Sequence, residues 1–243
     1  MQLTARELRA VAQEVDELHH EQMKTFAEEA ADLHLDAARA SRRRFLKYAG
    51  AGGAVVAASP FLPGGGFLGM AGAQSLTDTQ IAGFAQGFEL VAVAAYTMAA
   101  PSLSDATRPV GELFASHHQQ HADAFGNVAG DDAQTEPNAK ILADVGPLLE
   151  DAIANGEQAI LELAQIVENE AAYTYAFALT ALQDPAFASA TATILPIEAQ
   201  HAAAIGLALG QSPADQFPTG AFEASAVGGA GDPMTGVDPA QYS

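Results

Sequence analysis

The sequence predicts an all-α fold, a bundle of four long helices. Three observations carry that expectation: four long apolar-rich runs with readable Pro or Gly stops, nothing strand-like between them, and 49% hydrophobic content in 243 residues, ample for a core. Composition divides the chain into an amphipathic extension (1–40), a leader and linker (41–73), the bundle (74–210) and an irregular tail (211–243).

In the extension, Leu8, Val11, Val15, Leu18, Phe26, Ala30 and Leu33 recur mostly at three- and four-residue spacing with Glu and Asp between them, as on an amphipathic helix. The functional expectation is a segment that contacts a partner or other copies of the chain before export. The alternative is an unusually long leader, or a true start further along, for which Met23 is a candidate.

Ser41-Arg42-Arg43-Arg44-Phe45-Leu46-Lys47 matches the twin-arginine export signature at every consensus position, and small apolar residues follow from Tyr48 to Ala58. That run is too short and too weakly hydrophobic for a comfortable transmembrane span. Pro60, Pro63 and Gly64 to Gly66 break it, and Ala71-Gly72-Ala73 offers a cleavage site before Gln74. The expected route is the twin-arginine translocation machinery, which carries folded proteins, so a metal can be loaded in the cytoplasm. The expected destination is extracytoplasmic: periplasm, cell wall or medium. An uncleaved anchor is the alternative.

Run A spans roughly Asp78 to Ala100 and ends at Pro101, and run B starts at Pro109 and stops near Gly130. After a polar loop from Asp131 to Pro137, a short helix from Asn138 is expected to lead through Gly146-Pro147 into run C, which reaches about Gln183. Asp184-Pro185 is a cap followed by a first-turn proline; it opens run D, which Gly210 closes. Pro196 removes a backbone bond inside run D, which bends or kinks it. From Gln211 the chain is rich in Pro, Gly, Ser and Ala.

Charge and cysteine content remove several function classes. There is no Cys, which excludes disulfides, thiolate nucleophiles, iron–sulfur clusters and a lipobox anchor. The net charge is -20, and from Gln74 onward 21 Asp and Glu face only Arg108 and Lys140, a balance of -19. Such a surface repels nucleic acid and anionic lipid and tolerates divalent cations.

The chemistry lies in an internal repeat. Run A carries Glu89 and, seven residues on, Tyr96; run C carries Glu168 and, seven on, Tyr175. Seven residues are two turns, so each carboxylate and phenol share a helix face about 10 Å apart along the axis. Run B carries His118-x-x-His121 and run D carries Glu198-x-x-His201. Residues three apart lie about 60° apart around the helix, so both side chains of each pair point to one place. Carboxylates and imidazoles gathered in this way suit iron, manganese or zinc.

In this set of motifs the sequence resembles the ferritin-like superfamily, specifically its exported bacterial ferritin-like domain proteins, over roughly Ser75 to Gly210. The resemblance implies a ferritin-like four-helix bundle with a long B–C crossover, in which helices A and C each give a Glu and helices B and D each give a Glu-x-x-His pair. It implies Glu89, His121, Glu168, Glu198 and His201 as metal ligands, Tyr96 and Tyr175 as donors behind them, and iron, most readily a di-iron centre, as the cofactor, with manganese or zinc as alternatives. The bland reading of Tyr96 and Tyr175 is that they are core residues whatever the metal does.

One departure matters: run B has His118 where the family pattern has Glu. Four carboxylates cancel two divalent ions, and three leave one positive charge. A nitrogen-richer di-metal centre, a single metal or a degenerate site follows, and three imidazoles favour zinc, iron or copper over manganese. His117 and His121, four apart, form an alternative pair, but His118 keeps the repeat in phase. Glu170 ranks behind Glu168 as the inward carboxylate, and Glu112 and Glu162 fall on solvated faces. The functional expectation is an exported metalloprotein handling Fe(II), oxygen or peroxide, with Tyr96 or Tyr175 supplying a proton or an electron. The alternative is a non-enzymatic envelope bundle that stores or scavenges metal or has lost its site. A cage assembly is not expected, because nothing after run D reads as a short fifth helix; a homodimer stays open.

Overall fold

The computed structural model describes residues 3–48 and 76–212. Six α-helices are formed among them: α1 (Ala5–Tyr48), α2 (Asp78–Ala99), α3 (Arg108–Ala129), α4 (Ala139–Asn155), α5 (Glu157–Ala181) and α6 (Pro185–Ala208). No strand occurs among the described residues, as the sequence predicts. Residues 49–75, with most of the apolar segment and the cleavage site of the leader, and the tail from 213 lie outside the described residues. The twin-arginine motif falls in the last turns of α1, and its side chains lie outside them too.

Local chemistry sets the boundaries of runs A, B and D. Thr77 caps α2 with a reciprocal pair of bonds, its Oγ1 accepting from Gln80 N at 3.2 Å while Gln80 Oε1 accepts from Thr77 N at 3.0 Å. Pro109 sits in the first turn of α3, where its missing N–H has no partner to lose. Asp184 caps α6 by accepting from Ala186 N at 2.8 Å and Phe187 N at 3.3 Å. Pro196 lies inside α6, which continues through it.

The break before run C is not where the sequence predicts it. α4 runs unbroken through Gly146 and Pro147 to Asn155, and the chain turns instead at Gly156, whose φ of 97° suits glycine and few other residues. Pro147 removes only one backbone bond from α4, and that helix tolerates the loss. The long crossover between α3 and α5 therefore carries a helix of its own. It passes close over α2: a Cβ at Gly83 would lie 2.1 Å from the Asp132 carbonyl oxygen, so only glycine fits there.

α2 packs against α3 and α5 against α6, giving two helical hairpins. Each hairpin is latched by the first residue of the other. The Asp78 carboxylate, opening α2, accepts from Gln183 N at 2.9 Å and Asp184 N at 2.7 Å in the α5–α6 turn. The Glu157 carboxylate, opening α5, accepts from Ser104 N at 3.0 Å and from the Thr107 hydroxyl in the α2–α3 turn.

The amphipathic extension is part of this fold. α1 lies along α6 and against α3. Leu8, Ala12 and Val15 join Val110, Phe114, Ala204 and Ile205, while Phe26 joins Phe125, Tyr175, Phe187 and Ile194. Burying side chains such as Leu8, Val15 and Phe26 contributes about 1.5–3 kcal/mol each. The inward stripe is Leu8, Ala12, Val15, His19 and Phe26, and Leu18, which the sequence pattern puts on the apolar face, is 47% exposed. In the folded chain this segment packs on its own bundle. Between the two apolar clusters lies a polar layer.

Candidate metal centre

Each ligand candidate sits near the middle of its helix: Glu89 on α2, His118 and His121 on α3, Glu168 on α5, Glu198 and His201 on α6. All six are buried. Most of the residues packed around them are apolar, so these side chains meet their polar needs mainly among themselves and with a few buried donors beside them.

The structure brings all six to one place. His118 Nδ1 lies 2.7 Å from Glu89 Oε2, and its Nε2 lies 3.1 Å from Glu168 Oε1. His201 Nδ1 is 3.3 Å from Glu168 Oε2 and 3.2 Å from Glu198 Oε2. His121 Nδ1 is 2.9 Å from Glu198 Oε1 and 3.6 Å from Glu89 Oε2. Two overlapping groups result: Glu89, His118, His121 and Glu198, and His118, Glu168, Glu198 and His201. His118 and Glu198 belong to both.

The tyrosines cross between the halves. Tyr96 on α2 donates its hydroxyl to Glu168 Oε1 on α5, and Tyr175 on α5 donates to Glu89 Oε1 on α2. The Glu-x6-Tyr spacing therefore serves the opposite helix, each phenol fixing the carboxylate across from it. Tyr175 is buried and Tyr96 half-buried. Burial first, and the neighbouring carboxylates second, raise the pKa of both phenols, so both stay protonated and act as donors.

Burial is also the largest influence on Glu89, Glu168, His118, His121 and His201, and it opposes the charged form of each. Their mutual pairing outweighs it. His121 and His118 hold Glu89 down at about 2, and His118 and His201 hold Glu168 well below the usual carboxylate range. Glu198 and Glu89 raise His121 to about 9, and the carboxylates raise His118 and His201 as well. In the metal-free chain, protons on the imidazoles thus supply the positive charge the carboxylates require.

The residues fit a metal. Neighbouring ligand atoms on one ion, bonded at about 2.0–2.2 Å, stand about 3 Å apart; five of the donor pairs here lie 2.7–3.3 Å apart and two more at 3.6 and 3.9 Å. Both oxygens of Glu198 and both nitrogens of His121 are buried without a hydrogen-bond partner, although His121 Nδ1 is 2.9 Å from Glu198 Oε1. These atoms are close but not oriented toward one another as donor and acceptor. Imidazole nitrogens with carboxylate oxygens suit iron, zinc or manganese.

The other candidates separate as follows. Glu170 is half-buried and outside both groups, and Glu112 and Glu162 are exposed. His117 is buried but lies behind the cluster, its Nδ1 3.0 Å from His201 Nε2 and its Nε2 3.1 Å from Asp16 Oδ1. An apolar cavity of about 60 Å³, lined by Ala95, Leu103, Ile160 and Val167 among others, reaches Tyr96 and Glu168.

Sequence reasoning missed the contribution of α1. His19 is fully buried, stacks on His117 with ring centres 3.7 Å apart, and lies 5.2 Å from the His121 ring. All six histidines whose side chains are described (His19, His20, His117, His118, His121 and His201) form one connected set. The available signal was the 4-3-4 spacing of Leu8, Ala12, Val15 and His19, which puts an imidazole where the stripe calls for an apolar side chain.

Comparison with curated proteins and with solved structures finds no match in either. Residues 77–211 match the family model of the ferritin-like domain, from the cap of α2 to just past the end of α6. The chain belongs to the ferritin-like domain family.

Proposed function

We propose that the chain is an exported metal-binding protein whose bundle holds two iron ions in unequal positions and oxidises Fe(II) with oxygen or peroxide. The carrying observation is the pair of overlapping four-residue groups that share His118 and Glu198. A carboxylate has oxygens for two ions, but a neutral imidazole has one free lone pair. His118 therefore serves one position as a ligand and turns its other nitrogen, as N–H, to a carboxylate of the other. Three carboxylates against two divalent ions leave one positive charge, which favours binding of an anionic oxygen species.

Iron supplies redox chemistry at this site, and the protein side chains do the rest. Glu89 and Glu168 are held in place by Tyr175 and Tyr96, which keep their protons. The apolar cavity beside Tyr96 and Glu168 gives a small apolar molecule such as oxygen a place next to the cluster. Export is supported by Ser41 to Lys47, with the twin-arginine translocation machinery as partner.

The test is oxygen consumption on adding Fe(II) to metal-free protein. Turnover of Fe(II) beyond two equivalents, abolished by Glu198→Gln, is the expected result. Uptake of iron without oxidation of Fe(II) by either oxygen or added peroxide makes the chain a metal store, a reading favoured by the complete burial of the six side chains.

A further inference from the structure

Asp16, His19 and His20 occupy positions i, i+3 and i+4 of α1 and offer three ligand atoms that all lie within 4.8 Å of one another. None of the three belongs to the inner cluster. His19 is fully buried, and neither of its ring nitrogens has a hydrogen-bond partner. A buried imidazole with both nitrogens unmet is rare in a folded interior unless something binds them. Its neighbours on the stripe, Val15 and Phe26, show what packing alone would place there.

The surroundings are arranged around the Asp16 carboxylate. His117, reaching from α3, donates from Nε2 to Asp16 Oδ1 at 3.1 Å, and His20 Nδ1 lies 3.2 Å from the same oxygen and 2.8 Å from the Asp16 backbone carbonyl, which leaves its Nε2 free for an ion. The His20 side chain is 67% exposed and that of Asp16 35%. The group therefore runs from buried His19 out to solvent. On its inner side, the other nitrogen of His117 is 3.0 Å from His201 Nε2, and the His19 ring lies 5.2 Å from that of His121, so this group adjoins the inner cluster without sharing a residue with it.

We propose that Asp16, His19 and His20 form a separate cation position on α1, which takes a divalent transition-metal ion from solution at the outer edge of the inner cluster. Two imidazoles and one carboxylate select ions such as Zn(II), Co(II) or Fe(II) over Mg(II) and Ca(II), which require more oxygen ligands. Three protein ligands, one of them exposed, leave positions for water, as at exchangeable sites and unlike closed structural ones. His117 is a positioning residue: it fixes the Asp16 carboxylate from α3 and so ties the ion to the docking of α1. The proposal does not depend on metal in the inner cluster.

The test is a Co(II) titration of the untagged full-length chain, read by visible absorption and by equilibrium dialysis. The variants are Asp16→Asn with His20→Ala at the outer group, and Glu198→Gln with His201→Ala at the inner one. His20 is exposed, so His20→Ala alone provides a second variant with little effect on folding, expected to weaken the outer equivalent at least tenfold. The Asp16→Asn/His20→Ala protein is expected to bind one equivalent fewer than the unaltered chain, and the Glu198→Gln/His201→Ala protein to keep that equivalent. Unchanged stoichiometry and affinity in both outer variants overturn the proposal, as does loss of every equivalent in the inner variant. One equivalent that responds only to the outer variants would uphold this site while removing the inner one.

Discussion

The α2–α3 and α5–α6 hairpins are two versions of one unit, and among their ligand positions they differ at one. Each opens with a carboxylate that latches the turn of the other, Asp78 and Glu157. Each gives a glutamate that accepts from the tyrosine of the other, Glu89 from Tyr175 and Glu168 from Tyr96. Each brings a histidine to the centre, His121 and His201. Then α6 supplies Glu198 where α3 supplies His118. The scaffold is thus symmetric while the charge at its centre is not: a carboxylate can face both positions with an oxygen each, whereas an imidazole must differentiate them.

The largest effect is expected from Glu198, because both positions use it. Glu198→Gln keeps the shape and removes the charge, and should weaken metal binding more than 100-fold at both positions, measured by competition with a chelator; Glu168→Gln should weaken mainly one. Equal effects of the two would break the distinction between shared and unshared ligands. Next comes His118→Glu, which makes the halves alike. It should bring the two binding constants together and tighten the weaker one at least tenfold in a Co(II) titration. In the metal-free state it should lower Tm, since four buried carboxylates would then face only two imidazoles.

A smaller effect follows from the cross-bracing phenols. Removing a group that orients a metal ligand typically costs about 10–100-fold in affinity, and leaving a buried acceptor unmet costs about 1–3 kcal/mol. Tyr175→Phe should sit at the upper end and Tyr96→Phe, only half-buried, at the lower, as read by chemical denaturation and metal competition. The mildest test is pH. His121 is raised from 6.5 to about 9 in the metal-free fold, so its stabilisation is complete below pH 6.5 and lost as pH rises through 9. Glu89 is lowered from 4.5 to about 2, so its contribution is present above pH 4.5 and lost as pH falls through 2. Metal-free protein should therefore lose Tm between pH 6.5 and 9, and metal-loaded protein should not, because the ions replace the protons. A flat profile in both forms would contradict the pairing.

Much of this was legible in the sequence because helix periodicity converts spacing into direction. Glu89, Glu168 and the two x-x-His pairs each fix a face, and end signals such as Pro109, Asp184 and Gly210 fix the ends. Periodicity says nothing about which helix a side chain reaches, so the crossing of Tyr96 and Tyr175 to the opposite glutamates could not be read. Pro147 misled because a proline marks a helix break more strongly in sequence than a lone Gly156 does, and here the glycine alone takes a left-handed backbone. His19 was hidden for a different reason: a histidine on an apolar stripe has meaning only once the helix it packs against is known.

The central claim is that the six buried side chains of α2, α3, α5 and α6 converge to hold metal. Anomalous diffraction from crystals of the protein loaded with Fe(II) tests it most directly. The account predicts two peaks about 3.5–4 Å apart, both contacting Glu198, with His121 and Glu89 on one side and His201 and Glu168 on the other. An ordered bundle with no peak among these residues at saturating metal would contradict it.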